Sequence, residues 1–395
     1  MNSQAFLLRN PLIALAPTDD GYLAYDIARN RLHRLNPSAA LIIELCDGTR
    51  TAVSLVDDLA PLVADDARAG CMNWIEAAIQ DDLLKPLAPG ASGPSAPDAA
   101  YFSSQASRLR REGRVLAAFV CQHYATLQAV DAADQWAALG DLAHIIGRRE
   151  DAREAYEHYL ALSPGDAEVE HILVSLRGEP APPRAPDECI VQLYARFAEF
   201  YERNMVTDLE YCGPELLARV LHRALGDTAQ LDVLDLGCGT GLAGPQLRTL
   251  ARRLTGIDLS PDMAKRARKT KLYDAVEVAE ITEWLTRSGE RDLDLVAACD
   301  TFIYFGDLRQ VLRPVASRLR PGGTLAFTVE RGDAGSFRLT DSGRYVHSES
   351  HIREAAAETG LEVVSVESVV LRYEYGDAVA GLVALLRLKQ ERQAV

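Results

Sequence analysis

The chain has 395 residues, 48% of them apolar and 25% charged, with a formal net charge of −15. That length exceeds one ordinary domain, so two or three separately cored units are expected, and the composition is that of a globular protein. The acidic balance disfavours phosphate backbones, no apolar run reaches the ~18 residues of a membrane span, and residues 1–9 lack a basic-then-apolar export signal. Neither nucleic acid nor membrane is therefore an expected partner, and the cytoplasm is the expected compartment.

Seven cysteines without a C-x-x-C pair or zinc spacing read as reduced and mostly buried, and no metal site is expected. Basic clusters at 108–114 and 265–271 fall on predicted helices and read as solvated faces.

In chain order, strand-like runs at 12–16, 21–26 and 31–35 open a first unit over residues 1–88. Asn36-Pro37 starts a helix that leads to a turn at Cys46-Asp47-Gly48, with helical periodicity following at 53–63 and 67–84. The pattern predicts a winged-helix-like α+β module. The run from Leu32-His33-Arg34-Leu35-Asn36-Pro37 through Cys46-Asp47-Gly48-Thr49, with this order of elements, resembles the PqqD-like family of precursor-peptide recognition elements. The resemblance implies that a leader peptide adds as a strand to an exposed sheet edge. Strands 21–26 and 31–35 are the candidate edge and helix 67–80 the opposite wall. A degenerate winged helix used only for packing or dimerisation is the plainer reading.

Residues 89–99, rich in Pro, Gly and Ser, read as a linker. The second unit, 100–178, is helical. Trp136, Leu139, Gly140, Gly147, Ala152, Tyr156 and Pro164 fall at the spacings of the tetratricopeptide helix-turn-helix repeat, and Gly113 and Ala118 lie one period upstream of Gly147 and Ala152. Such a repeat must stack on neighbours, either flanking domains or a partner. Residues 180–186, rich in proline, read as a second linker.

From 187 to 395 strands alternate with helices, predicting a Rossmann-like, mostly parallel sheet of seven strands: 232–236, 253–258, 275–279, 294–299, 324–329, 362–369 and 382–388, the last two antiparallel at one edge. The first strand runs into Gly237-Cys238-Gly239-Thr240-Gly241, where glycine lets a ligand approach the backbone. Gly239-x-Gly241-x-x-Gly244 also fits a dinucleotide fingerprint. Against that reading, Asp235 precedes the turn, where a carboxylate suits a cationic sulfonium ligand, and Asp258 ends the second strand, where an acid accepts ribose hydroxyls.

Together with Leu319-Arg320-Pro321-Gly322-Gly323, these features resemble class I methyltransferases that use S-adenosyl-L-methionine. Leu193-Tyr194-Ala195-Arg196-Phe197, Gly256-Ile257-Asp258-Leu259-Ser260 and Asp300-Thr301-Phe302-Ile303-Tyr304-Phe305 narrow the resemblance to methyltransferases fused to tetratricopeptide repeats. It implies cofactor contacts from Tyr194, Tyr201, Asp235, Gly237, Cys238, Gly239, Gly241, Asp258, Leu259, Met263, Glu280, Ile281, Cys299 and Asp300. Glu280 departs from the usual Asp.

Methyl transfer needs mainly an aligned nucleophile and exclusion of water. The segment after the fourth strand lacks the Asn/Asp-Pro-Pro-Tyr pattern of nitrogen-methylating enzymes, which favours oxygen as acceptor. The catalytic candidates are His347, Tyr304, Tyr345 and Arg344, with Arg331 and His351 as further substrate contacts. His347 as base would suit a hydroxyl, whereas arginine clamps would suit a carboxylate. The plain readings are Tyr304 and Phe305 as core aromatics, His347 as a capping or surface residue, and Arg372 as the ion-pair partner of Glu374 or Glu367. The expected function is methylation of a precursor peptide captured by its leader. The alternatives are a small-molecule methyltransferase with front units for assembly, and a non-catalytic cofactor-binding scaffold for other modifying enzymes.

Overall fold

In this computed structural model the described residues are 5–59, 67–198, 201–226, 228–287, 291–333, 335–374 and 376–389, and the chain divides into two units, Met1–Pro164 and Gly165–Val395. In the first, strands β1 (Phe6–Arg9), β2 (Ile13–Thr18), β3 (Gly21–Asp26) and β4 (Arg31–Leu35) precede α1 (Pro37–Leu45). That helix starts where the Asn36 side chain accepts from the Ala39 amide at 2.9 Å and Pro37 needs no donor partner. β5 (Asp47–Thr51), α2 (Ala52–Leu59), α3 (Ala67–Gln80) and β6 (Leu84–Leu87) follow. Part of the predicted helix 53–63 lies outside the described residues.

The first unit departs from expectation in three places. A strand, β1, precedes the three predicted, Cys46-Asp47-Gly48 leads into β5 rather than a simple turn, and the helix predicted to reach 84 stops at Gln80. All three belong to one small antiparallel sheet, β5-β1-β6, whose pairings join distant parts of the chain and leave no local periodicity.

Strands β2, β3 and β4 form a second antiparallel sheet with β3 in the middle. Its side chains alternate between faces. Ile13, Leu15, Ala24 and Leu35 join Ile42, Ile43 and Ile75 in a core under α1 and α3. Ala14, Ala16, Leu23 and Tyr25 are buried on the other face. Because β3 is paired on both sides, strand 21–26 cannot be a docking edge, which corrects the expectation; β4 is an edge.

α4 (Ala99–Arg111) packs on α5 (Val115–Gln128), and α6 (Ala133–Ile145) on α7 (Arg149–Leu162). Gly140 permits the close approach of the second pair, since a Cβ there would sit 2.5 Å from the Tyr156 ring. α5 lies on β2 and β3. Arg114 donates to the Tyr25 hydroxyl (3.2 Å) and Arg148 to the Pro17 carbonyl (3.0 Å).

The second unit begins with α8 (Ala167–Leu176), α9 (Asp187–Phe197), α10 (Tyr201–Arg203) and α11 (Gly213–Leu225). The alternating part runs β7 (Leu231–Leu236), α12 (Gly244–Leu250), β8 (Ala251–Asp258), α13 (Pro261–Thr270), β9 (Ala275–Val278), α14 (Ile281–Thr286), β10 (Leu293–Ala298), α15 (Arg309–Arg318) and β11 (Leu319–Arg331). β12 (Phe337–Leu339), β13 (Tyr345–His347), α16 (Glu349–Glu358), β14 (Leu361–Glu374) and β15 (Asp377–Leu388) complete it.

The sheet order is β9-β8-β7-β10-β11-β15-β14, parallel from β9 to β11 and antiparallel thereafter, with β13 added beside the end of β11 and β12 beside β13. All seven predicted strands are present; β12 and β13 are too short to carry a pattern. Buried Leu234, Leu236, Val296 and Phe327 form part of the core on one face of this sheet. The order reverses between β7 and β10, which opens a crevice at their carboxyl ends.

Candidate active site

The chain leaving β7 turns at Gly237 and Gly239, with φ of 65° and 56°. Both need glycine: a Cβ on Gly237 would lie 2.3 Å from Thr301 Oγ1, and Gly239 presents a bare backbone to the cleft, where the Tyr201 ring, 4.0 Å from the Cβ position, is its neighbour. The turn is fixed from both sides. Thr301 Oγ1 donates to the Leu236 carbonyl (2.8 Å), and the Gly239 amide donates to Asp258 Oδ2 (2.8 Å). The other oxygen of Asp258 accepts from the Ser260 amide at 2.8 Å. Burial pushes the Asp258 carboxyl up to about 6, against the pull of those two amides.

Of the residues expected to meet a cofactor, Tyr194, Tyr201, Gly237, Gly239, Asp258 and Leu259 line this cleft. So do Met263, Glu280, Ile281, Cys299 and Asp300. Asp235, Cys238 and Gly241 stand behind it. The Asp235 carboxylate accepts from the Tyr273 hydroxyl at 2.7 Å and burial pushes it up to about 7, so it supports the turn instead of facing the ligand side. Cys238 is buried near Gly256, and a Cβ on Gly241 would crowd Tyr273 and Thr270 at 3.2 and 3.3 Å. Glu280 caps α14, its Oε2 accepting from the Glu283 amide (2.7 Å) and the Thr282 hydroxyl (2.6 Å), while Oε1 lies 3.4 Å from Arg184.

Sequence reasoning missed Arg184 and Ile190. Arg184 sits in the segment 180–186 read as a linker, yet that segment is strapped along the cleft: Arg184 bridges Phe305, the Ala185 amide donates to the Tyr304 carbonyl (2.8 Å) and the Gly306 amide to that of Pro183 (2.9 Å). Backbone pairing of this kind carries no residue signature.

Packed with Ala185 of this strap, the Tyr194 and Tyr304 hydroxyls are 2.8 Å apart, and the Tyr201 ring meets Tyr194 edge-on at 5.9 Å. Burial raises all three phenols, Tyr194 to about 12, so they are neutral at physiological pH. Beside them lies a buried ionic cluster. Asp300, at φ 49°, accepts from Arg372 (2.7 Å) and Thr328 (2.9 Å); Arg372 also pairs with Glu374 (2.8 Å) and Glu330. Arg372 thus meets Glu374 as expected, whereas Glu367 pairs with Arg223 (2.8 Å).

Three catalytic candidates are corrected here. Arg344 is held by Glu330 and Glu374, both at 2.7 Å, and lies outside the cleft wall. Tyr345 is fully buried and donates to the Pro182 carbonyl at 2.6 Å. His347 is fully buried with Nε2 2.8 Å from the Phe305 carbonyl and 3.0 Å from that of Gly306, which makes that nitrogen a donor. Burial, and then the neighbouring His351, push its pKa down to about 4. The reason is β13: pairing with β11 turns Tyr345 and His347 inward, to buttress the 302–306 segment. His351 is buried beside them and accepts from the Leu308 amide (3.3 Å), and Arg331 points to Ser368 (3.5 Å). Of the four candidates, Tyr304 alone lines the cleft.

Residues 234–325, which span the glycine turn, Asp258 and the 300–305 segment, match the family model described as a methyltransferase domain. The second unit carries an S-adenosylmethionine-dependent methyltransferase domain. The cleft fits that cofactor, since the open backbone at Gly239 and the carboxylate of Asp258 are what a methionine tail and a ribose require. Residues 21–84 match the model of coenzyme PQQ synthesis protein D, PqqD. The ubiquinone biosynthesis O-methyltransferase of Xanthomonas campestris pv. campestris (strain B100) is 32% identical over 114 residues, covering 28% of this chain and 48% of that protein. The chain thus spans about half the length of the curated relatives it matches. Among solved structures, the Burkholderia thailandensis 1,6-didemethyltoxoflavin-N1-methyltransferase aligns at a TM-score of 0.40 and 24% identity, over 53% of this chain and 93% of that one. The putative methyltransferase in complex with the Haloferax volcanii Trm112 activator aligns at 0.42 and 18%, over 52% and 99%.

Proposed function

We propose that the protein O-methylates a ribosomally made precursor peptide in the cytoplasm, holding the leader on β4 of the PqqD domain while the core reaches the methyltransferase cleft. The observation that carries this reading is the union in one chain of a methyltransferase domain with a PqqD domain whose β4 has, among the described residues, an open outer edge. Helices α4–α7 serve as a tetratricopeptide-like support within the first unit.

S-adenosylmethionine supplies a methyl group on a sulfonium, open to in-line displacement. Asp258 would hold the ribose, Gly237 and Gly239 the methionine part, and Leu259, Met263 and Ile281 the adenine. Tyr194, Tyr201 and Tyr304 exclude water from the acceptor side and hold their protons. With His347 buried and donating, the reading favours a carboxylate acceptor, which is nucleophilic at neutral pH without a base. The O-methyltransferase names of the curated relatives support oxygen; they equally support a small-molecule acceptor. Competition separates the two: free leader peptide added in excess should suppress methylation of the precursor, and undiminished methylation would leave the small-molecule reading.

A further inference from the structure

We propose that the helical pair α4–α5 is a second wall of the peptide site, selecting leaders that carry acidic side chains on the strand face turned toward it. This rests on the reading of β4 as docking edge and adds the chemistry of the bound strand.

A strand added to β4 continues the sheet, so its side chains alternate between the two faces. On one face Arg31, His33 and Leu35 lie on the side of α1 and α3. The other face would meet water in a module standing alone; here α5 covers its β2 and β3 portion. That cover ends at β4, where Leu32 is half-buried and Arg34 exposed. The next strand out would lie in the step that this leaves, beside the α4–α5 turn.

The step is cationic in a chain of net charge −15. Arg114, the residue before α5, stacks over the Tyr25 ring at 5.5 Å and donates to the Asn30 carbonyl in the β3–β4 turn at 3.3 Å. Among the described residues neither Arg34 nor Arg114 has a carboxylate partner, whereas Arg108 nearby is paired with Glu112 (2.8 Å) and Arg31, on the opposite face, with Asp81 (3.9 Å). Two uncompensated guanidinium groups on one face complement carboxylates at alternate positions of an extended peptide.

The test uses the full-length protein and short labelled peptides that alternate Val with Glu, Gln or Lys. Binding is read by fluorescence anisotropy and the site by hydrogen exchange of the β4 amides. The Glu peptide should bind roughly 3- to 10-fold more tightly than the Gln peptide, the size expected of two exposed ion pairs, with the Lys peptide weakest and the advantage shrinking as salt rises. Arg34→Glu, at an exposed position, should abolish the preference without loss of the Gln peptide, and Arg114→Gln should halve it. Equal binding of Glu and Gln peptides, or an unchanged ratio in Arg34→Glu, with β4 still protected, overturns the second wall. Absence of β4 protection with every peptide overturns the docking edge itself.

Discussion

Asp258 carries the most chemistry of any residue in the cleft. Its carboxyl, lifted to about 6 by burial, is protonated over part of the physiological range until a ligand donates to it. A folded-state pKa above the unfolded value near 3.8 means that its contribution to stability is present below that value and is lost as pH rises through about 6. Donors from a ribose favour the ionised form, so cofactor binding should release protons between about pH 5 and 7. Isothermal titration in buffers of different ionisation heat should register that release, and Asp258→Asn should remove it while weakening binding about 10- to 100-fold. His347 has the opposite sign. Depressed to about 4, it stabilises the neutral-pH fold fully above its unfolded pKa of 6.5, and that stability is lost as pH falls toward 4. Thermal melts of His347→Gln should show a flatter decline over that window. Its kcat at pH 7.5 should fall less than about 10-fold, where loss of a general base would cost about 100-fold or more.

At the scale of elements, strands are legible where each carries its own pattern. β7, β10, β11 and β15 contain apolar runs, and β3 and β4 alternate. β1, β5 and β6 exist because they pair across the first unit, and β13 because it pairs with β11, so none of them carries a local pattern. Tyr345 and His347, expected as substrate contacts, are turned inward by that pairing. The glycine turn and Asp258 were legible because motif spacing reflects one strand-turn-strand unit; Arg184 was not, since its place in the cleft depends on Phe305, far along the chain. The α6–α7 pair depends on Gly140, whose missing Cβ admits the Tyr156 ring. Gly140→Val should cost about 1–3 kcal/mol by overpacking, read as a lowered melting temperature of the first unit, with the methyltransferase unit's cofactor affinity unchanged.

For the whole molecule, a leader held on β4 would turn capture of the core into an intramolecular event, with an effective concentration on the order of millimolar. Few side chains then need to recognise the core, which agrees with a cleft wall built of neutral phenols and backbone straps. The decisive measurement is mass spectrometry of a precursor peptide incubated with the full-length protein and S-adenosylmethionine, beside the same core without its leader. The account predicts a gain of one methylene, localised to a core side-chain oxygen, on the leader-bearing peptide and little on the bare core. Equal methylation of both, or a gain on neither while a small phenol or acid is methylated, would contradict it.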